Sequence, residues 1–155
     1  MSPKLREEIM QSSPFGSLEQ EVFLNVVRTA SDLEHSMAEG LKPYGLSLTQ
    51  YNVLRILRGA GEDGLCRGDI VARMLTPVPD ATRLLERLVK AGWVSRERGG
   101  DDRRFVTTRI TDSGRALLAD LDGPMQEMHR RQLGHMGQDE LTRLSDLLET
   151  ARARV

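Results

Sequence analysis

The 155-residue sequence predicts a mainly α fold with one small β-hairpin, in the order α-α-α-α-β-β-α-α, its middle half a helix-turn-helix followed by that hairpin. Three observations predict it. Along six stretches apolar residues recur at three- or four-residue spacing, as one face of an amphipathic helix requires. Between residues 93 and 110 the period shortens to that of strands, and Gly99-Gly100-Asp101-Asp102 interrupts it as a turn. Positive charge gathers in the same middle. Residues 67–109 hold ten Lys and Arg against six Asp and Glu, although the chain as a whole carries a net charge of −1.

Residues 1–16 show no sustained period and read as a flexible N-terminal arm. Ser17 and Gln20 have the spacing of a capping box, which starts a helix. Leu18, Val22, Val26, Ala30, Leu33, Met37 and Leu41 form its apolar stripe, and Lys42-Pro43 stops it. Ser47 and Gln50 repeat the capping box, with Leu48, Tyr51, Leu54 and Leu57 inward. Gly59, Gly61 and Gly64 then open a loop. Residues 66–75 predict a short helix with Ile70, Val71 and Met74 inward and Cys66 at its start.

In the next helix Thr76 is the expected N-cap and Pro77 the first helical residue, with Pro79 still in the first turn. Its apolar face is Ala81, Leu84, Leu85 and Leu88, its charged face Asp80, Arg83, Arg87 and Lys90, and Ala91-Gly92 its stop. Strands are expected over 93–98 and 104–110. Thr111-Asp112-Ser113-Gly114 caps a long helix bearing Leu117, Leu118, Leu121, Met125 and Met128, and a last helix from about Gln138 holds Leu141, Leu144, Leu147, Leu148 and Ala151.

Aromatic residues are 4% of the chain, so the core must be Leu, Val, Ile and Met. No apolar run is long enough to cross a membrane, and the N-terminus lacks the apolar stretch of a signal peptide. Cys66 is the one cysteine and permits no internal disulfide, so a cytoplasmic protein is expected. There is no nucleotide-binding glycine motif, no H-E-x-x-H and no supported serine–histidine set, so no enzyme and no cofactor are expected. His35, His129 and His135 lack metal-ligand spacing, so no metal is expected either.

Taken singly, the charged helix face reads as ordinary solvated surface, whereas three arginines around the Gly-Gly turn of the hairpin are more than solubility requires and point to DNA. Together they form one unit suited to double-stranded DNA. Arginine on a helix can bond bidentately to guanine in the major groove. Arginine on a narrow hairpin, here among Arg98, Arg103 and Arg104, can reach the minor groove. Asp102, two residues before Arg104, has the spacing to hold its guanidinium. The outer helices carry more apolar surface than the middle can cover, which points to packing against a second copy of the chain. A protein–protein interaction module without DNA binding, its basic surface docked on an acidic partner, is the alternative these residues leave open.

The run LTQYNVLRIL (48–57), the helix TRLLERLVKAGWV (82–94), the D-R-R tip (102–104) and Ile110-Thr111-Asp112-Ser113-Gly114-Arg115 together resemble the MarR family of winged helix-turn-helix transcription regulators, over roughly residues 18 to 150. The resemblance implies a homodimer joined by helices within 17–45 and 111–155, with a DNA-binding lobe over 46–110. Its recognition helix, 79–91, would enter the major groove and its wing, 93–110, the minor groove of a pseudo-palindromic operator. Arg104 would be the wing arginine and Asp102 its support. With these, the expected DNA-binding set is Pro77, Pro79, Asp80, Thr82, Arg83, Arg87, Arg98, Arg103 and Arg104.

The resemblance also implies a ligand-responsive repressor. A small aromatic acid would bind between lobe and dimer helices, near His35, Tyr44, Tyr51 and Arg55. The chain departs from the family at Pro77-Val78-Pro79-Asp80, where small hydroxyl residues are usual.

Overall fold

The computed structural model describes residues 4–98 and 106–153. Its elements are α1 (Leu5–Glu8), α2 (Leu18–Leu41), a 3-10 turn (Lys42–Tyr44), α3 (Leu48–Gly59), β1 (Leu65–Cys66), α4 (Arg67–Ala72), α5 (Ala81–Lys90), β2 (Val94–Arg98), β3 (Val106–Ile110), α6 (Asp112–Leu133) and α7 (Gln138–Arg152).

The local caps form where the sequence has them. Ser17, Ser47 and Thr111 accept from the backbone amides of Gln20, Gln50 and Gly114. The box at Ser47 is reciprocal, Gln50 Oε1 accepting from the Ser47 amide at 2.9 Å. At α2 the return bond slips by one residue, because Gln20 Oε1 accepts from the Gly16 amide at 2.7 Å.

Within residues 1–16 the short helix α1 forms and buries Leu5. Several expectations are corrected. The sheet has three strands rather than two, in the order β1-β3-β2 and antiparallel throughout. Strand β1 is only two residues long, Leu65 opposite Thr108 and Cys66 opposite Thr107, too short to leave a period in sequence. Cys66 therefore belongs to β1 and caps α4, its Sγ accepting from the Asp69 amide at 3.4 Å and donating to Asp69 Oδ2 at 3.2 Å. Ile70 of α4 is buried, while Val71, about 100° further round the helix, is exposed.

A further correction concerns α5. It starts at Ala81, with Asp80 as N-cap and Asp80 Oδ1 accepting from the Arg83 amide at 2.9 Å. Thr76 is not the cap, and Pro77 and Pro79 lie in the turn before the helix. Each proline disfavours the helical region for the residue before it, here Thr76 and Val78, so the helix cannot begin before Pro79.

One core unites the molecule. It runs from Met37 and Leu41 of α2 through Val53, Leu54 and Leu57 of α3, Ile70, Leu85 and Leu88, to Leu118, Leu121 and Met125 of α6. Each fully buried Leu or Ile contributes roughly 1.5–3 kcal/mol of transfer free energy. The N-terminal half of α2 and all of α7 stand outside this core: α7 buries no residue, and Leu18, Val22, Phe23, Val26 and Val27 are exposed. Among the described residues no helix is long and apolar enough to cross a membrane.

A bidentate pair ties α3 to α6, Arg58 Nη1 and Nη2 each donating to Asp122 at 2.9 Å. That hydrogen bonding holds the Asp122 carboxyl below its ordinary pKa. A depressed carboxyl pKa stabilises the fold above the unfolded-state value, near 4, and the contribution fades as pH falls through the folded-state value. Both side chains are partly exposed, so Asp122→Asn is expected to cost at most about 1 kcal/mol at neutral pH. In urea titrations from pH 7 to 3 the gap between variant and parent should close on the acid side. A gap independent of pH would show that the pair is not what the substitution removes.

Candidate nucleic-acid interface

The charged arc of α5 follows from its buried one. Leu85 and Leu88 are fixed in the core, which turns Arg83, Arg87 and Lys90 to solvent. The turn before the helix folds against the same side. Pro77, Val78, Pro79, Asp80, Arg83, Leu84, Arg87 and Thr49 of α3 border a shallow recess of about 360 Å³. Five of the expected DNA-binding residues, Pro77, Pro79, Asp80, Arg83 and Arg87, are thus brought together. Asp80 is partly engaged by its own helix, because one carboxylate oxygen serves the cap. A carboxylate there also complements the positive end of the helix dipole.

Thr82 lies apart from that recess, toward α4, where Arg67 Nη1 donates to its Oγ1 at 3.0 Å. Arg67 had no part in the expected set. Its partner is fifteen residues away on another helix, and no spacing rule links them.

Arg98 ends β2 and is exposed, opposite Val106 in the sheet. Asp102, Arg103 and Arg104 lie outside the described residues. The base of the hairpin is held by Arg109, whose Nε donates to the Glu62 carbonyl at 2.7 Å and whose Nη1 donates to Glu97 Oε2 at 2.9 Å. Gly64 makes that approach feasible. It has φ +69°, and a Cβ there would lie 2.6 Å from the Thr108 carbonyl oxygen. Arg109 is a second residue that alternation alone did not single out, because its carbonyl partner is 47 positions away.

A larger cavity, about 680 Å³, opens between α2, α3 and α6 and the turn at Leu75-Thr76. This is within the size range of small-molecule sites. Tyr51 and Arg55 line it, with the Arg55 guanidinium 5.9 Å from the centre of the Tyr51 ring. Two residues expected there do not. Glu34 lines the cavity while its neighbour His35 is exposed, because successive residues on a helix point about 100° apart. Tyr44 packs on the far side, beside Met125 and Met128. His129 of α6 faces the cavity instead, and Gln132 Nε2 donates to the Leu33 carbonyl at 2.9 Å to join α6 to α2 there. Asn52 links the cavity wall to the turn, its Oδ1 accepting from the Leu75 amide at 3.0 Å.

Comparison with known proteins gives three kinds of match. The profile of the MarR family matches residues 44–104. The multiple antibiotic resistance protein MarR of Salmonella typhimurium is 30% identical over 112 residues, which is 70% of this chain and 75% of the relative. A crystal structure of a MarR transcription factor from Planctomyces limnophilus is 40% identical, covers 88% of this chain and 99% of its own, and superposes with a TM-score of 0.69. A mutant MarR from E. coli complexed with operator DNA superposes with a TM-score of 0.75 over 97% of this chain and 99% of its own; at 22% identity that likeness is one of fold.

Proposed function

The chain belongs to the MarR family, and from that membership we propose that it is a homodimeric DNA-binding transcription regulator that reads an operator through α5 and the β2–β3 wing. The observation that carries this reading is the arc of Arg83, Arg87 and Lys90, held outward by the burial of Leu85 and Leu88. In this reading Pro77, Pro79, Asp80, Thr82, Arg83 and Arg87 face the major groove. Arg98 with Arg103 and Arg104 serves the minor groove, and Asp102 supports Arg104. Phosphate contacts supply most of the affinity, while base contacts select the sequence.

The two α5 helices of the dimer read the two halves of a pseudo-palindrome about one helical turn apart. The protein acts as a cytoplasmic repressor, by binding rather than by turnover. A small aromatic acid in the cavity beside Tyr51, Arg55 and His129 releases it, because the cavity lies between the DNA-facing turn and the long helices.

The test is selection of bound duplexes from a random pool, followed by anisotropy titration of the enriched duplex. Arg87→Ala is expected to lose about 1–3 kcal/mol on the selected duplex if it contacts a base. The slope of log affinity on log salt should be steep. Failure to enrich any duplex would overturn the reading in favour of a protein-interaction module.

A further inference from the structure

Thr82 receives a hydrogen bond that decides what its hydroxyl has left to offer. A threonine hydroxyl carries one proton and two lone pairs, whereas a guanidinium only donates. The bond from Arg67 Nη1 to Thr82 Oγ1, 3.0 Å long, therefore uses a lone pair and leaves the proton unspent. Threonine within a helix often gives that proton to the carbonyl four residues back. Thr142 and Thr150 do so here, donating to the Gln138 and Asp146 carbonyls at 2.9 Å. Thr82 has no helical carbonyl in that position. It is the second residue of α5, and the residue four back, Val78, stands before the Asp80 cap between two prolines.

We propose that Arg67 is a specificity-determining positioning residue, which occupies Thr82 Oγ1 as an acceptor and so makes Thr82 present a donor to the DNA. This rests on the DNA-binding reading above. A hydroxyl without such a partner can donate to or accept from a base edge, and so distinguishes little between them. With one lone pair taken and a cation held beside the oxygen, which weakens the other lone pair as an acceptor, Thr82 favours edges that bear acceptors (guanine N7 and O6, adenine N7, thymine O4) over the cytosine N4 amino group. The positive charge also polarises the O–H bond and strengthens it as a donor. The turn places the pair where it can act: Asp80 fixes the first turn of α5, and Arg67 reaches it from the first residue of α4.

The experiment repeats the duplex selection in parallel on full-length parent, Arg67→Met, Arg67→Lys, Thr82→Val, Thr82→Ser and the Arg67→Met/Thr82→Val double variant. One position per half-site is expected to carry the effect. There the parent, Thr82→Ser and Arg67→Lys enrich an acceptor-bearing base. Arg67→Met comes to tolerate cytosine, and Thr82→Val loses its bias. The change in relative affinity between the two bases should be roughly tenfold, as for a single altered base contact. The double variant should shift no further than Thr82→Val at that position. Arg67 is exposed, so thermal midpoints of its variants should match the parent.

An even loss of affinity across all sequences in Arg67→Met, with a shallower salt slope, would overturn the proposal by making Arg67 a phosphate contact. A shift in Arg67→Met without one in Thr82→Val would overturn it as well. A parent that enriches no duplex overturns the DNA-binding reading itself, and this inference with it.

Discussion

Phe23→Asp is expected to convert the dimer to monomers and to lower affinity for a two-half-site operator by more than about a hundredfold, the scale on which joining two binding modules raises avidity. Phe23 is 65% exposed in the single chain, beside Val22, Val26, Val27 and Leu18. These residues form adjacent rows four apart on the N-terminal half of α2, too broad an apolar stripe for a helix that stays in water. Burying a phenylalanine contributes roughly 1.5–3 kcal/mol, and in a two-fold dimer the residue counts twice. An unpaired carboxylate in its place adds a desolvation penalty on top of that loss. Sedimentation velocity at micromolar concentration reads the assembly, and anisotropy on the selected duplex reads the affinity. A Phe23→Asp dimer that binds like the parent would remove α2 from the interface. A monomer that keeps full affinity would break the link between pairing and DNA binding.

Gly114→Ala is expected to cost the fold a large part of its stability. Gly114 is buried at the junction of the sheet and α6, where the backbone is bonded from three directions. Its amide donates to Thr111 Oγ1 at 3.1 Å, Thr111 Oγ1 donates to the Gly92 carbonyl at 2.7 Å, and the Thr111 amide donates to the Trp93 carbonyl at 3.0 Å. A Cβ at Gly114 would run into the Trp93 carbonyl oxygen and lie 2.8 Å from Ile110 Cγ1. Neither obstacle is a flexible tip: one is backbone and the other is fixed in the core. Overpacking of this kind costs about 3 kcal/mol, or about 10 °C in thermal midpoint for a domain of this size. Gly59→Ala is the control, since nothing lies within 4 Å of its Cβ, and it should be neutral or slightly stabilising. Equal melting curves for the two variants would refute the packing argument.

The two expectations draw on different parts of the chain's legibility. The apolar stripe of α2 is visible in sequence because a helix repeats its face every three or four residues whatever it packs against. The contact that makes Gly114 sensitive is not visible, because Trp93 is reached only when the hairpin folds back on α6.

The same division holds at the candidate site. The two faces of α5 follow from the spacing of Leu84, Leu85 and Leu88 against Arg83 and Arg87, and the caps at Ser17, Ser47 and Thr111 from side chains a few residues from their partners. The start of α5 was misplaced at Thr76 and Pro77, because the X-Pro restriction on Val78 keeps the helix from running through Pro77, and the cap falls to Asp80. The cavity shows the limit of local reading. Tyr51 and Arg55 lie on the face of α3 that borders it, but His129 arrives from α6, and the choice of Glu34 over His35 depends on the rotation of α2 within the core.

From its own order the sequence determined the long helices and most of their faces, the β2–β3 hairpin, and the concentration of positive charge around it. Each is a matter of neighbours within about one turn of helix or one hairpin, where chain connectivity already sets the distance. Only the tertiary structure decided the short strand β1, the anchoring of the hairpin by Arg109, the bond from Arg67 to Thr82, and the walls of the cavity. Those contacts join residues far apart along the chain. Their distances are set by how the helices settle on one shared core of Leu54, Leu57, Leu85, Leu88, Leu118 and Leu121.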